Sequence, residues 1–196
     1  MANAEDLNPR ATMLMYAHPS MHSLARSIVQ TCDDYRDGQQ LSIPTSNSAT
    51  QVTPTQSSIY YGYRPSARKV VLKDDIRWDH FADGFPKLFI DNVKDLAGRD
   101  VIFIGSFHSP DAIFEQLSVI YAIPRYLARS VIFILPYFPT GTMERVDREG
   151  QIATAKTLAT LLSNIPLTAR GPTQIMLFDL HALQERFYFS DHVIPR

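Results

Sequence analysis

Hydrophobic positions along the chain fall into two rhythms, and their order predicts the elements. Four short runs are apolar at nearly every position: "TMLMYA" (12–17), "DVIFIGS" (100–106), "SVIFILPY" (130–137) and "TQIMLFD" (173–179). Such runs predict strands buried on both faces rather than one. Between them apolar residues recur three and four apart, which predicts helices. In "SLARSIVQTC" (23–32) these are Leu24, Ile28 and Val29 behind a Ser23 cap. In "SPDAIFEQLSVIYAIPRYLA" (109–128) they are Ile113, Leu117, Ile120 and Tyr121, and "QIATAKTLATLLSNI" (151–165) is a third helix. Doubly buried strands alternating with helices define an α/β fold, a parallel sheet with helices on both faces. A smaller unit lies near the amino end, where "RKVVLKDDIRW" (68–78) and "PKLFI" (86–90) flank "FADGF" (81–85). Asp83-Gly84 is a tight-turn signal and predicts a β-hairpin.

One stretch breaks both rhythms. From about Asp37 to Ser66, half of the residues are Ser, Thr, Gln or Asn, which predicts a loop or disordered insertion. The segment before it is too short to bury a core of its own, so residues 1–196 read as a single domain carrying an insertion at about 37–66. A formal net charge of −1 with scattered Lys and Arg gives no footprint for nucleic acid or an anionic membrane. Cys32 is the only cysteine, which excludes an internal disulfide and a thiolate zinc cluster. The acidic start lacks the pattern of a secretory signal, and no apolar run reaches the roughly 20 residues that span a bilayer. A cytoplasmic protein is expected.

In open parallel sheets ligands gather outside the carboxyl ends of the strands. Here those ends lead into "SFHSPD", with His108 and Asp111; into "YFPTGTMERVDREG" (137–150); and into "DLHALQER". Asp179 and His181 are open to two readings: a Mg²⁺ site of carboxylate, imidazole and water, or a histidine that closes a strand on a backbone carbonyl. Zinc lacks further ligands at suitable spacing, and a serine hydrolase lacks its "GxSxG" elbow. The long 137–150 loop is either a flap over a ligand or a solvated excursion. "FADGF" is either a plain hairpin or an aromatic platform, with Phe81 or Phe85 under a planar base and Asp83 accepting from an exocyclic amine.

The succession "FADGF", "GSFHSP…FEQLSVIYAIPR", "ILPYFPTGTMER…ATAKTLATLLSNI" and "FDLHALQERFYF" resembles the ribose-phosphate diphosphokinases (phosphoribosyl pyrophosphate synthetases), most of all their plant-type class II branch. The resemblance covers about residues 75–195. It implies transfer of the diphosphate of ATP to ribose 5-phosphate, with Mg²⁺, on a phosphoribosyltransferase-like fold. It also implies a homo-oligomer in which the hairpin serves a neighbouring subunit. By this resemblance Phe81, Asp83, Phe85, Thr142 and Arg145 are ATP-binding, while Asp179, His181 and Asp191 are metal-binding. The chain departs from class I at Thr142 and Met143, which replace an arginine and a glutamine that contact ATP; Phe85 replaces a glutamate, and Arg186 and Phe187 replace "QG". The second half of such an enzyme has no counterpart in residues 1–196. The expectation is therefore an amino-terminal half with no catalytic residue of its own and little or no activity alone. The alternatives are a non-catalytic regulatory subunit of a full-length synthetase and a plain interaction domain.

Overall fold

The computed structural model describes residues 12–36, 68–178, 180 and 183–196. In chain order the elements are β1 (Thr12–Ala17), α1 (His22–Arg36), β2 (Lys69–Leu72), β3 (Ile76–His80), β4 (Pro86–Ile90), β5 (Asp100–Ile104), α2 (Pro110–Arg125), β6 (Ser130–Leu135), α3 (Thr154–Ser163), β7 (Thr173–Leu177) and β8 (Val193–Pro195). Six strands form one sheet in the order β2-β1-β5-β6-β7-β8, parallel at every pairing. β3 and β4 form the antiparallel hairpin predicted around Asp83-Gly84. The insertion expected from about Asp37 lies outside the described residues.

Alternation along the strands separates two cores. Leu14, Tyr16, Val101, Phe103, Val131, Phe133, Leu135 and Ile175 meet α2, α3 and the hairpin on one face. Met15, Ala17, Val70 and Ile104 meet Ala25, Ile28, Val29 and Cys32 of α1 on the other. Among the described residues the second face is covered by α1 at one end, and over β6 and β7 it carries half-buried Ile132 and Ile134 and exposed Met176.

Two helix starts show local chemistry at work. α1 begins at His22, without Ser23 as its cap, because a 3-10 turn at Pro19–Met21 leads into it. That turn is capped by His18, whose ring accepts from the Ser20 amide. α2 begins with Pro110 at its first position and Ser109 as cap, the Ser109 hydroxyl accepting from the Ala112 amide at 3.2 Å. Ser109→Ala is expected to cost about 1 kcal/mol. Urea unfolding midpoints of the two proteins measure it, and equal midpoints would show that the cap contributes nothing.

Candidate functional site at the switch point of the sheet

The strand order reverses direction at β1. From there the chain moves outward to β2 by way of α1, then returns to lay β5 on β1's other side. In an open α/β sheet the crevice outside the carboxyl ends of such a strand pair is where ligands sit. His18 leaves β1 at this point and Gly105–Ser109 leave β5. The His18 amide donates to the Ile104 carbonyl at 3.0 Å and the Gly105 amide to the Ile134 carbonyl at 3.0 Å, extending the sheet to the rim.

The β5 exit is held by a buried amide. Gln116 accepts from the Ser106 amide at 2.8 Å and donates to the Ser106 and Ala112 carbonyls at 2.8 and 2.7 Å. Beside it Glu115, 8% exposed, faces two histidines: His80 Nε2 at 2.7 Å and His18 Nε2 at 3.7 Å. His18 packs edge-on against Trp78, with ring centroids 5.0 Å apart, and lies 5.7 Å from the ring of His108. Burial holds the His18 imidazole below its ordinary range, outweighing the pull of Glu115 toward the charged form. None of His18, His80, Glu115 and Gln116 stood out in the sequence, where each is a single polar letter in a strand end or helix.

The hairpin turn is well formed. The Phe81 amide donates to the Phe85 carbonyl at 2.8 Å, the Gly84 amide to the Phe81 carbonyl at 2.9 Å, and the Phe85 amide to Asp83 Oδ1 at 3.2 Å. Gly84 has φ +85°, a conformation that explains the glycine there. Phe81 and Phe85 are 54% and 63% exposed, with the Lys87 ammonium 5.7 Å from the Phe81 ring centre. Two bare rings at a polar turn are what a stacking platform presents to solvent.

Thr142 and Arg145 sit on the loop after β6, both exposed. Thr140 takes a left-handed φ of 65° and opens a 3-10 turn at Gly141–Met143. The loop is tied to the body at Glu144. Glu144 is buried, its backbone carbonyl accepts from the Tyr188 hydroxyl, and its carboxylate accepts from Arg145 Nε at 3.0 Å. Further on, the Asp147 amide donates to Gln151 Oε1 at 3.0 Å. Thr142 and Arg145 thus lie on the loop after β6, and Phe81, Asp83 and Phe85 on the turn between β3 and β4.

Asp179 and His181 lie outside the described residues. Asp191 is exposed and lies two residues before β8, which runs parallel to β7. It therefore stands at the amino edge of the sheet, the edge opposite the one at which β7 ends with Leu177. Among the described residues no group of three or more His, Cys, Asp or Glu is arranged to hold a metal, and no helix is long and apolar enough to cross a membrane.

Comparison with known proteins closes on one family. Residues 66–165 match the N-terminal domain of ribose phosphate pyrophosphokinase. The chain is 43% identical over 194 residues to the chloroplastic ribose-phosphate pyrophosphokinase 3 of Arabidopsis thaliana, covering 89% of this chain and 46% of that one. It is 57% identical over 120 residues to the mitochondrial ribose-phosphate pyrophosphokinase 3 of Spinacia oleracea, covering 61% and 30%. The crystal structure of phosphoribosylpyrophosphate synthetase from Mycobacterium smegmatis superposes with a TM-score of 0.61 at 22% identity, over 94% of this chain and 47% of that one. The fold is that of a parallel-sheet synthetase domain with a small hairpin. The chain belongs to the ribose-phosphate pyrophosphokinase family and corresponds to its amino-terminal domain. It spans less than half the length of the relatives it matches, 46% and 34% for two of them.

Proposed function

We propose that this chain is the nucleotide- and Mg²⁺-binding half of a ribose-phosphate diphosphokinase, which passes the diphosphate of ATP to ribose 5-phosphate. The observation that carries the reading is identity of 57% over 120 residues with a ribose-phosphate pyrophosphokinase. The hairpin fits a nucleotide by its chemistry: Phe81 and Phe85 offer ring faces to a base, and the Asp83 carboxylate can accept from an exocyclic amine. Thr142 and Arg145 offer a hydroxyl and a guanidinium to phosphate oxygens.

Asp179 and His181 would hold Mg²⁺, whose chemistry there is to neutralise phosphate charge; a hard carboxylate suits that ion, and Mg²⁺ keeps several waters in such sites. Asp191, at the amino edge of the sheet, is the third member of that set. Transfers of this kind depend chiefly on alignment and charge stabilisation, so the protein's share is to fix base, phosphates and acceptor relative to one another. We assign the ribose 5-phosphate site mainly to the part of the relatives that this chain does not match. Assembly as a homo-oligomer, with the hairpin reaching a neighbour, and residence in the cytoplasm complete the proposal. The relatives' names include a chloroplastic and a mitochondrial form, so the compartment needs its own check by imaging of a tagged chain.

The test is calorimetric titration of ATP into the chain with and without Mg²⁺. Binding that requires the metal and weakens at least about tenfold in His181→Ala and in Phe81→Ala supports the reading. A folded wild-type chain that binds no ATP at millimolar Mg²⁺ overturns it.

A further inference from the structure

The hairpin that carries Phe81, Asp83 and Phe85 is not part of the main sheet, so something must fix it against the mouth. Its inner face does so by apolar packing, with buried Ile76 and half-buried Trp78, Leu88 and Ile90 against the core, and by a polar contact at the turn end. Trp78 packs onto the core beside Phe103, with ring centroids 6.4 Å apart. His80, the last residue of β3 and the neighbour of Phe81, reaches Glu115 of α2 at 2.7 Å. Its cross-strand partner is Pro86, which has no amide proton to offer there. At the turn end of the ladder, the His80–Glu115 contact is a polar tie between hairpin and body.

The geometry assigns the acceptor. His18 Nδ1 accepts from the Ser20 amide at 3.3 Å, which leaves the proton of a neutral His18 on Nε2, aimed at Glu115 Oε2 at 3.7 Å. His80 Nε2 faces the other oxygen, Oε1. One buried carboxylate therefore accepts a hydrogen bond from His80 at the end of β3 and has the His18 ring, at the end of β1, beside its other oxygen at more than hydrogen-bond distance. A carboxylate this buried is costly without polar partners, and these two imidazoles face it. The other charged or titratable groups acting on His18 are His108, from the loop after β5, and His22, at the start of α1.

We propose that Glu115 and His80 are positioning residues: their contact, backed by His18, latches the hairpin turn bearing Phe81, Asp83 and Phe85 at the mouth of the sheet. The consequence for nucleotide binding rests on the function proposed above; the latch itself does not.

Amide hydrogen exchange on the whole chain separates the two. In His80→Ala, exchange across the hairpin is expected to rise about tenfold or more, the scale set by a hydrogen bond to a charged group, while β5 and β6 keep their protection. His80→Gln places an amide nitrogen where Nε2 was and should restore near wild-type exchange. In Glu115→Gln the NMR-monitored titration midpoint of His18 should move to lower pH, because the carboxylate favours its imidazolium form. A purely space-filling role would leave the rescue and that midpoint unexplained. ATP affinity measured on the same variants should fall about tenfold in His80→Ala and recover in His80→Gln. Unchanged hairpin exchange in His80→Ala overturns the latch. Raised exchange with unchanged ATP affinity keeps the latch and instead removes the nucleotide role of the hairpin.

Discussion

Asp100→Ala is expected to cost about 3 kcal/mol of folding stability, as removal of one partner from a buried ion pair does. Asp100 opens β5 at the amino edge of the sheet, is 1% exposed, and is flanked in register by Met13 and Ser130. It accepts from Arg129 Nε at 2.9 Å, from Arg129 Nη2, and from the Ser130 hydroxyl at 2.6 Å, and pairs with Arg68 Nη2 at 2.6 Å. Arg68 also donates to the Thr12 carbonyl at 3.4 Å, so this carboxylate ties the approach to β2 onto β1 and β5. Both guanidinium groups keep some contact with water, with side chains 32% and 23% exposed, which keeps the cost below that of a fully buried pair.

The same network fixes a pH dependence. Burial alone would raise the Asp100 pKa, but hydrogen bonds from Arg129, Ser130 and Arg68 overcome it and bring the value from an ordinary 3.8 down to about 2. A carboxyl whose pKa is depressed by folding stabilises the native state above its unfolded value. That stability, about 2 kcal/mol by linkage, is lost as pH falls from about 4 to 2. Urea unfolding at pH 7, 4 and 2 should therefore show wild type converging on Asp100→Asn as the pH drops. A gap between the two that stays constant down to pH 2 would remove the carboxylate's charge as the cause.

Much of the fold was legible because its central strands are apolar at nearly every position, although only β1 and β5 are closely covered on both faces. β1, β5, β6 and β7 appear as unbroken apolar runs, and the tight turn of the hairpin appears as Asp83-Gly84. β8 did not: Val193–Pro195 is only three residues long, ends in proline, and is held partly by the Leu177 amide donating to the Arg196 carbonyl and the Arg196 amide to the Ile175 carbonyl. Tertiary pairing makes that strand, and no local periodicity announces it. The buried stripe of α2 is likewise wider than its apolar spacing, since Glu115 and Gln116 are buried beside Leu117 and Ile120. A carboxylate and an amide can occupy a core when partners arrive from elsewhere in the chain. Here those partners are His18, His80 and Ser106, whose convergence only the fold reveals. For the candidate site, the sequence exposed the hairpin triad and the β6 loop but hid the switch-point cluster that joins the hairpin to the sheet.

Gly105→Ala is expected to destabilise the chain by about 2–4 kcal/mol, an overpacking cost at the upper end of the usual range with a disrupted buried amide added. A β-carbon at Gly105 would lie 2.6 Å from Gln116 Oε1 and 2.6 Å from a Phe133 ring carbon. Neither can easily withdraw. Phe133 is fully buried between Phe103 and Phe107, with ring centroids 5.9 and 5.6 Å away, and Gln116 is committed to the Ser106 amide and carbonyl. The glycine is required for space rather than for a left-handed backbone, which distinguishes it from Gly84. Relief would come by shifting residues 105–106, and that shift breaks the Gln116 pair and moves the β5 exit on which Ser109 starts α2. Urea unfolding gives the stability loss, and faster exchange of the Ser106 amide locates it. A loss under about 0.5 kcal/mol would mean that the rim yields freely. The opposite result makes the β5 exit a rigid floor: Gln116 sets it from beneath, and Glu115, the adjacent residue on the same helix, ties the hairpin above it.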